Sequence, residues 1–190
     1  MKKLLFVLCL GLLIGCENVE NSGDNKAEKN RVLSDSVYFN GEAILYKGTL
    51  FSGVVFNEYE NGQLRNELNL KDGNLDGLYR SWYENGQLFE EKNYKDGKID
   101  GLYRSWYQNG QLDNETNFKD GEEDGLSRDW DVYGQLRQEL NFKDGKLDGL
   151  DRRWYENGQL ANEKILKNGK IVRKRSWNED GSFKNDLIYK

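Results

Sequence analysis

Strand-like runs of apolar and aromatic residues alternate with short polar turns along most of the chain. Within residues 77–100, two such runs at 78–83 and 88–94 are separated by the polar segment 84–87. Asn-Gly between strand-like runs favours a hairpin, because both residues tolerate a positive φ. A second turn of Asp-Gly type follows at 95–98. Each unit therefore predicts two antiparallel strands and two turns.

This unit recurs with a fixed period of 24 residues, which predicts a repeat array in which each copy packs on its neighbours. We predict an all-β fold: a single elongated, twisted antiparallel β-meander of about twelve strands, with about five regular hairpin repeats and terminal caps. The opening glycines are Gly53, Gly77, Gly101, Gly125 and Gly149, and the turn glycines are Gly62, Gly86, Gly110, Gly134 and Gly158.

Two hairpin registers are open. A two-residue loop at Asn85-Gly86 would place Arg80 opposite Glu91, and would put Leu88 on the face opposite to Arg80. A three-residue loop would instead pair Trp82 with Leu88 and reverse every later side chain. We prefer the first, because it matches opposite charges in four copies. Its predicted cross-strand pairs are Arg80 with Glu91, Arg104 with Glu115, Arg128 with Glu139, and Arg152 with Glu163.

One aromatic column is constant and a second one varies. The constant tryptophan column is interpreted as structural, whereas the column that begins at Tyr79 and Tyr103 changes to Ser127 and Asp151, and is predicted to be exposed. Aromatic residues from both columns form the candidate interaction surface. These candidates are Tyr79, Tyr103, Trp82, Trp106, Trp130 and Trp154.

Three copies depart from the pattern. The fourth has Glu123 at an apolar position and Asp131 in place of a turn tyrosine, so we predict that it is looser or differently occupied. The first copy has Phe56 at the arginine position and Glu58 at the tryptophan position, which predicts an N-terminal cap. The pattern frays after Gly169, which predicts a C-terminal cap.

The N-terminus predicts export and a membrane anchor. Residues 1–15 carry two lysines and an apolar run that is too short to span a bilayer, which is typical of a signal peptide. Residues 13–16, Leu-Ile-Gly-Cys, resemble the bacterial lipobox, which implies cleavage before Cys16 and lipidation of that cysteine. An ordinary secretory leader is the alternative. Residues 16–36 predict a lipidated, flexible tether, and the repeat domain is expected to cover 37–190.

Composition argues against most site chemistry. Histidine is absent, which excludes a Ser-His triad and a histidine-ligated metal. The recurring glutamates are periodic rather than local, and the Asp-Gly-x-x-Asp-Gly segments lack the ligand pattern of an EF-hand loop. The net charge of -5 becomes -7 without Lys2 and Lys3, with 26 basic against 33 acidic residues, which disfavours nucleic acid. We predict no enzymatic activity, no cofactor, no metal and no small-molecule substrate.

The repeat motif itself carries a family resemblance. The pattern W-Y-x-N-G-Q-L, followed by x-x-E and K-D-G-x-x-D-G, closely resembles the bacterial MORN-repeat variant, including proteins labelled YwqK-like antitoxins. The resemblance covers about residues 45–189. It implies serial β-hairpins and a role in protein or membrane-linked interaction, and it brings no catalytic residues.

Together, these features predict a non-enzymatic, lipid-anchored protein of the bacterial cell envelope that acts as a scaffold or protein-binding module. A protein partner or self-association is expected. Two alternatives remain open: a carbohydrate- or choline-binding module, since aromatic arrays can bind cations and sugars, and an antitoxin-like envelope immunity protein. Glu17 after Cys16 favours the outer membrane in a Gram-negative cell, because aspartate there is the usual signal for inner-membrane retention.

Overall fold

Sixteen β-strands form two sheets in residues 30–189, the part of the chain that the computed structural model describes. A 3₁₀ turn at Ser34–Ser36 is the only helical element in this range. The strands are β1 Arg31–Leu33, β2 Val37–Phe39, β3 Ile44–Tyr46, β4 Thr49–Leu50, β5 Gly53–Glu58, β6 Leu64–Lys71, β7 Asn74–Trp82, β8 Leu88–Lys95, β9 Lys98–Trp106, β10 Leu112–Lys119, β11 Glu122–Trp130, β12 Leu136–Lys143, β13 Lys146–Trp154, β14 Leu160–Lys167, β15 Lys170–Trp177 and β16 Phe183–Ile188.

The larger sheet contains thirteen strands in the order β1, then β5 to β16. From β5 onwards each strand pairs antiparallel with the next one along the chain, which confirms the predicted all-β meander of serial hairpins. The sheet is not entirely antiparallel, however. Strand β1 pairs parallel with β5, with Val32 opposite Val55, because the chain passes through the small second sheet before it returns to the edge of the larger one.

Strands β2, β3 and β4 form this second, three-stranded sheet, so the prediction of a single sheet is wrong at the N-terminal end. Phe51, Val55 and Leu70 make a buried cluster there, each 3–4% exposed, and Ile44 and Tyr46 of the small sheet pack against it. The small sheet precedes the first repeat. Its residues Ile44 and Tyr46 are partly buried because they pack against the first repeats, whereas Tyr38, Phe39 and Leu50 are exposed.

The ordered sheet also begins earlier than the sequence predicts. The tether was expected to continue to residue 36, whereas Arg31–Leu33 forms strand β1. Its central residue, Val32, packs against the cluster of Phe51, Val55 and Leu70, and this burial explains why the segment is a strand. The predicted signal peptide, the lipidation site Cys16 and the tether up to residue 29 lie outside the described residues.

Each regular hairpin combines parts of both predicted registers. Arg80 lies opposite Glu91, as the two-residue loop predicts, but Trp82 lies opposite Leu88, as the three-residue loop predicts. A β-bulge accommodates both pairs, because Phe89 is an extra residue between Leu88 and the next pair on β8. The prediction that Leu88 faces away from Arg80 is therefore wrong, while the later alternation of side chains follows the first register.

The Asp-Gly turns lie at the ends of the strands opposite to the Asn-Gly turns, and they connect successive repeats. The carboxylate of Asp100 accepts a hydrogen bond from the backbone N–H of Asp120 at 3.2 Å. The same contact recurs from Asp144 to Asp124 at 3.3 Å and from Asn168 to Asp148 at 2.9 Å. These aspartates therefore have a structural role in joining one turn to the next.

Candidate interaction surfaces

The pleat of the strands divides the six candidate surface residues between two faces of the sheet. On β7, Trp82 lies on the same side as Arg80, while Tyr79 lies on the other side with Ser81. We call these the tryptophan face and the tyrosine face. The structure therefore does not bring the six residues together. The tryptophan face carries Trp82, Trp106, Trp130 and Trp154, and the tyrosine face carries Tyr79 and Tyr103.

A ladder of alternating charges crosses the tryptophan face. In each of four repeats an arginine Nε lies close to the Oε2 of the glutamate on the next strand, and these are the four pairs that the sequence predicts. The separations are 2.7 Å for Arg80–Glu91, 2.8 Å for Arg104–Glu115, and 2.9 Å for both Arg128–Glu139 and Arg152–Glu163.

The ladder also connects neighbouring repeats. Arg152 reaches back to Glu139 at 3.4 Å, and Arg175 contacts Glu163 at 3.2 Å. The four arginine side chains are 34–40% exposed and their glutamates 11–24%. Exposed pairs of this kind each contribute about 0–1 kcal/mol, so the ladder fixes register more than it stabilises the sheet. Because the signs alternate, the row has little net charge.

A row of tryptophans and leucines flanks the ladder. Each of the four repeat tryptophans is half-buried and lies opposite a leucine across its hairpin. Within residues 30–189, no ring contact joins these four indoles to another aromatic side chain. Their structural packing is therefore against aliphatic side chains. The pairs are Trp82 with Leu88, Trp106 with Leu112, Trp130 with Leu136, and Trp154 with Leu160.

The tyrosine that follows each tryptophan links one repeat to the next, a role that the sequence analysis missed. The hydroxyl of Tyr83 donates to the carbonyl oxygen of Trp106 at 2.8 Å. The recurrence of this tyrosine at the start of four turns was the available signal. The equivalent bonds run from Tyr59 to Trp82 at 2.7 Å, from Tyr107 to Trp130 at 2.8 Å, and from Tyr155 to Trp177 at 2.9 Å.

The fourth repeat replaces this link with a local charge contact. Asp131 accepts hydrogen bonds from the backbone N–H groups of Tyr133 and Gln135, and its Oδ2 lies 2.8 Å from Nη2 of Arg137. The bond from the Gln135 N–H is the largest cause of the lowered pKa of the Asp131 carboxyl. Arg128 still lies opposite Glu139, so the repeat is differently occupied but keeps its register.

On the tyrosine face, Tyr79, Lys92 and Tyr103 form one row on three adjacent strands. The Nζ of Lys92 lies 4.7 Å from the ring centroid of Tyr79 and 5.9 Å from that of Tyr103. It also pairs with Glu90 at 3.1 Å. Burial lowers the pKa of Lys92, but the hydrogen bond and charge of Glu90 outweigh it, and the net shift is upward. The ammonium group of Lys92 therefore already has its partners within the sheet.

The same row becomes buried towards the C-terminus. Ser127 is 4% exposed and Asp151 is 3% exposed, so the prediction that this column is exposed is wrong there. The carboxylate of Asp151 lies 2.8 Å from Nζ of Lys164 and 3.5 Å from Nε of Arg153. The hydroxyl of Ser127 shares a 2.7 Å hydrogen bond with that of Thr116 on the adjacent strand, so both buried polar residues have partners within the sheet.

Tyr107 makes the stability of the fold depend on pH. Burial, followed by the nearby Asp113 carboxylate, raises the pKa of Tyr107 to about 12, from 10.0. Its contribution to stability should be fully present below pH 10 and should fall as pH rises towards 12, because the unfolded state loses its proton first. Urea unfolding between pH 9 and 12 should show a weaker pH dependence for Tyr107→Phe. An unchanged dependence would contradict this assignment.

Comparison with known proteins identifies the repeats. The model of the MORN repeat variant matches residues 52–72, 75–96, 99–120 and 147–168. The divergent fourth repeat, with Asp131, lies between the third and fourth matched segments. A search of curated proteins gives no match to the chain. Residues 30–189 contain no helix that is long and apolar enough to cross a bilayer. The chain thus contains four copies of a non-catalytic repeat.

Proposed function

Because the chain is built on MORN-variant repeats, a class of module that interacts with proteins or membranes, we propose that it is a non-enzymatic protein-binding module. Its partner is a protein that docks on the tryptophan face. The module is held at the bacterial cell envelope by a lipid on Cys16, and in the outer membrane if the cell has one.

The continuous row of tryptophans beside the charge ladder is the observation that carries this proposal. Tryptophan and arginine are enriched among the residues that dominate binding energy at protein interfaces. Here they recur together on one face, with indoles such as Trp106 half-buried and arginine side chains such as that of Arg104 about 40% exposed. The alternating charges favour a partner with an alternating pattern over a uniformly charged polymer.

The tyrosine face offers less to a protein partner. Its central row is buried at Ser127 and Asp151, and Lys92 between Tyr79 and Tyr103 is already paired with Glu90. A partner on that face would meet Lys92 and Asp151, which already form ion pairs within the sheet. Binding there would therefore displace existing contacts before it formed new ones.

The anchor is supported by the sequence of the N-terminal segment. A basic start, a short apolar run and the Leu-Ile-Gly-Cys sequence ending at Cys16 are typical of bacterial lipoproteins. Residues 16–29 would then connect the lipid to the first described residue, Asn30. If these fourteen residues behave as a flexible chain, their root-mean-square span would be about 20 Å, enough to hold the sheet clear of the lipid headgroups.

Site-specific photocrosslinking tests which face binds. A photoreactive phenylalanine at Asn93 would report on the tryptophan face, since Asn93 is exposed and lies opposite Leu78. The same photoreactive phenylalanine in place of Tyr103 is the matched control on the tyrosine face. In cells that express the full-length protein, we expect a discrete protein adduct from position 93 and none from position 103. Adducts from position 103 alone would reject the proposal.

Affinity for the captured partner gives a second readout. Trp106→Ala is expected to weaken binding by at least about 30-fold, as for a central interface residue, while Tyr103→Phe leaves it unchanged. Cys16→Ala should separately move the protein from the membrane to the soluble fraction. Capture of polysaccharide instead of protein, or quenching of tryptophan fluorescence by choline or glycans, would replace this proposal with the carbohydrate- or choline-binding alternative.

A further inference from the structure

The last strand of the larger sheet, β16, is an open edge. It pairs with β15 on one side, and no strand in residues 30–189 pairs with its other side. All six of its residues are exposed. The opposite edge of the sheet is different, because β1 has only three residues and pairs parallel with β5.

The exposed side chains of this edge are unusually apolar. Phe183 is 58% exposed, Leu187 46% and Ile188 74%, and Tyr189 just after the strand is 45% exposed. Unpaired backbone groups beside apolar side chains form a template for another strand, and proteins commonly protect such edges with charged side chains, especially lysine, and with proline. The chain contains no proline, and the charged residues of β16, Lys184 and Asp186, precede the apolar end of the edge at 187–189. This end of the edge is therefore suited to pairing.

We propose that β16 pairs antiparallel with β16 of a second copy of this chain, so that two thirteen-stranded sheets become one. A two-fold axis at Ile188 would place Ile188 against itself and Leu187 against Tyr189 of the other copy, which matches apolar residues with apolar residues. Tyr189 remains in line with the strand, since its N–H donates to the carbonyl oxygen of Val172 at 3.0 Å.

Charge disfavours the register with its axis at Asp186. An axis at Asp186 would oppose two carboxylates across the interface, which is unfavourable. With the axis at Ile188, the Asp186 carboxylates of the two copies no longer face each other. Asp186 is already paired within its own chain, with Nε of Arg173 at 2.9 Å and Nε of Arg175 at 3.7 Å, so it needs no counter-charge from the second copy.

The N-terminal segment is a poorer occupant of this edge. Twelve strand spacings of about 4.8 Å separate β1 from β16 by about 58 Å along the sheet. Residues 16–29, which would remain after cleavage before Cys16, reach about 49 Å when fully extended. The proposed dimer does not depend on the partner of the tryptophan face, because it uses the strand edge rather than that face.

A cysteine crosslink tests the register in the full-length protein. Ile188→Cys would place two thiols opposite each other at the axis, where paired Cβ atoms lie about 4.5–5.5 Å apart. We expect a disulfide-linked species of twice the mass in cells with an oxidising envelope, visible on non-reducing gels. Phe39→Cys, at a residue that is 66% exposed on the small sheet, is the matched control and should remain a single chain. Equal crosslinking at both positions would overturn the proposal.

Sedimentation of the full-length protein in mild detergent tests the dimer without a crosslink. Ile188→Lys would oppose two ammonium groups at the axis and should weaken association at least tenfold, whereas Phe39→Lys should leave it unchanged. Because Ile188 is 74% exposed, folding should be preserved, which circular dichroism would verify. A monomeric unmodified protein at high concentration would overturn the proposal. So would dimerisation that appears only after deletion of residues 16–29, which would indicate that the tether covers the edge.

Discussion

Gly73→Ala is expected to detach the small sheet of β2, β3 and β4 and to lower the free energy of unfolding by about 3–4 kcal/mol. Gly73 has a φ of 79°, and an added Cβ would lie 2.7 Å from the Cβ of Ala43 and 2.9 Å from the carbonyl oxygen of Ile44. The positive φ alone costs about 1–2 kcal/mol for a residue other than glycine. Displacement of β3 from the buried cluster at Phe51 supplies the rest.

Gly97→Ala separates the two contributions. Gly97 occupies the same position in the next repeat with the same φ of 79°, but no atom lies within 4 Å of its added Cβ. This variant should therefore cost only about 1–2 kcal/mol. Urea unfolding measures both losses, and hydrogen exchange of residues 37–51 should accelerate only in Gly73→Ala. Equal losses would mean that the small sheet does not constrain this turn.

Lys164→Leu is expected to destabilise the fold by about 3 kcal/mol, because it leaves the carboxylate of Asp151 buried without its closest partner. Asp151 is 3% exposed, and its contact with Lys164 is 2.8 Å. Arg153 remains, but its Nε is 3.5 Å away and its side chain is 54% exposed, so it compensates only in part. Urea unfolding of the single variant measures the loss.

The neighbouring repeat supplies the control. Ser127 lies opposite Leu140 at the positions that correspond to Asp151 and Lys164. The double variant Asp151→Ser with Lys164→Leu recreates that pair and should recover most of the lost stability. Failure to recover would show that the effect of Lys164→Leu comes from packing of the lysine stem rather than from the unpaired charge.

The charge ladder could be predicted from sequence because the same opposite charges recur at the same separation in four copies. A register that places Arg80 opposite Glu91 also forms the other three pairs. The bulge at Phe89 could not be predicted, since its residue type changes from repeat to repeat. It is Phe89 in one copy, Asp113 in the next and Arg137 in the third, so composition marks no special position.

The burial of residues on the tyrosine face could not be predicted from the sequence either. Serine and aspartate at a variable position usually indicate exposure, and Ser127 and Asp151 follow that pattern in type but not in environment. Their environment is set by cross-strand contacts, of Ser127 with Thr116 and of Asp151 with Lys164. The small sheet was missed for a related reason: residues 37–50 precede the first repeat, and only the packing of Ile44 and Tyr46 on the buried cluster shows their role.

The bond from each turn tyrosine to the tryptophan of the next repeat makes the length of the repeat domain depend on the number of repeats. Every such bond, like those of Tyr83 and Tyr107, joins only adjacent units. Gain or loss of one regular unit would therefore rejoin equivalent groups and preserve the tryptophan face. Each unit adds two strands, or about 9.6 Å. The distance that the domain spans is thus set in fixed increments by gene duplication, without redesign of the contacts on that face.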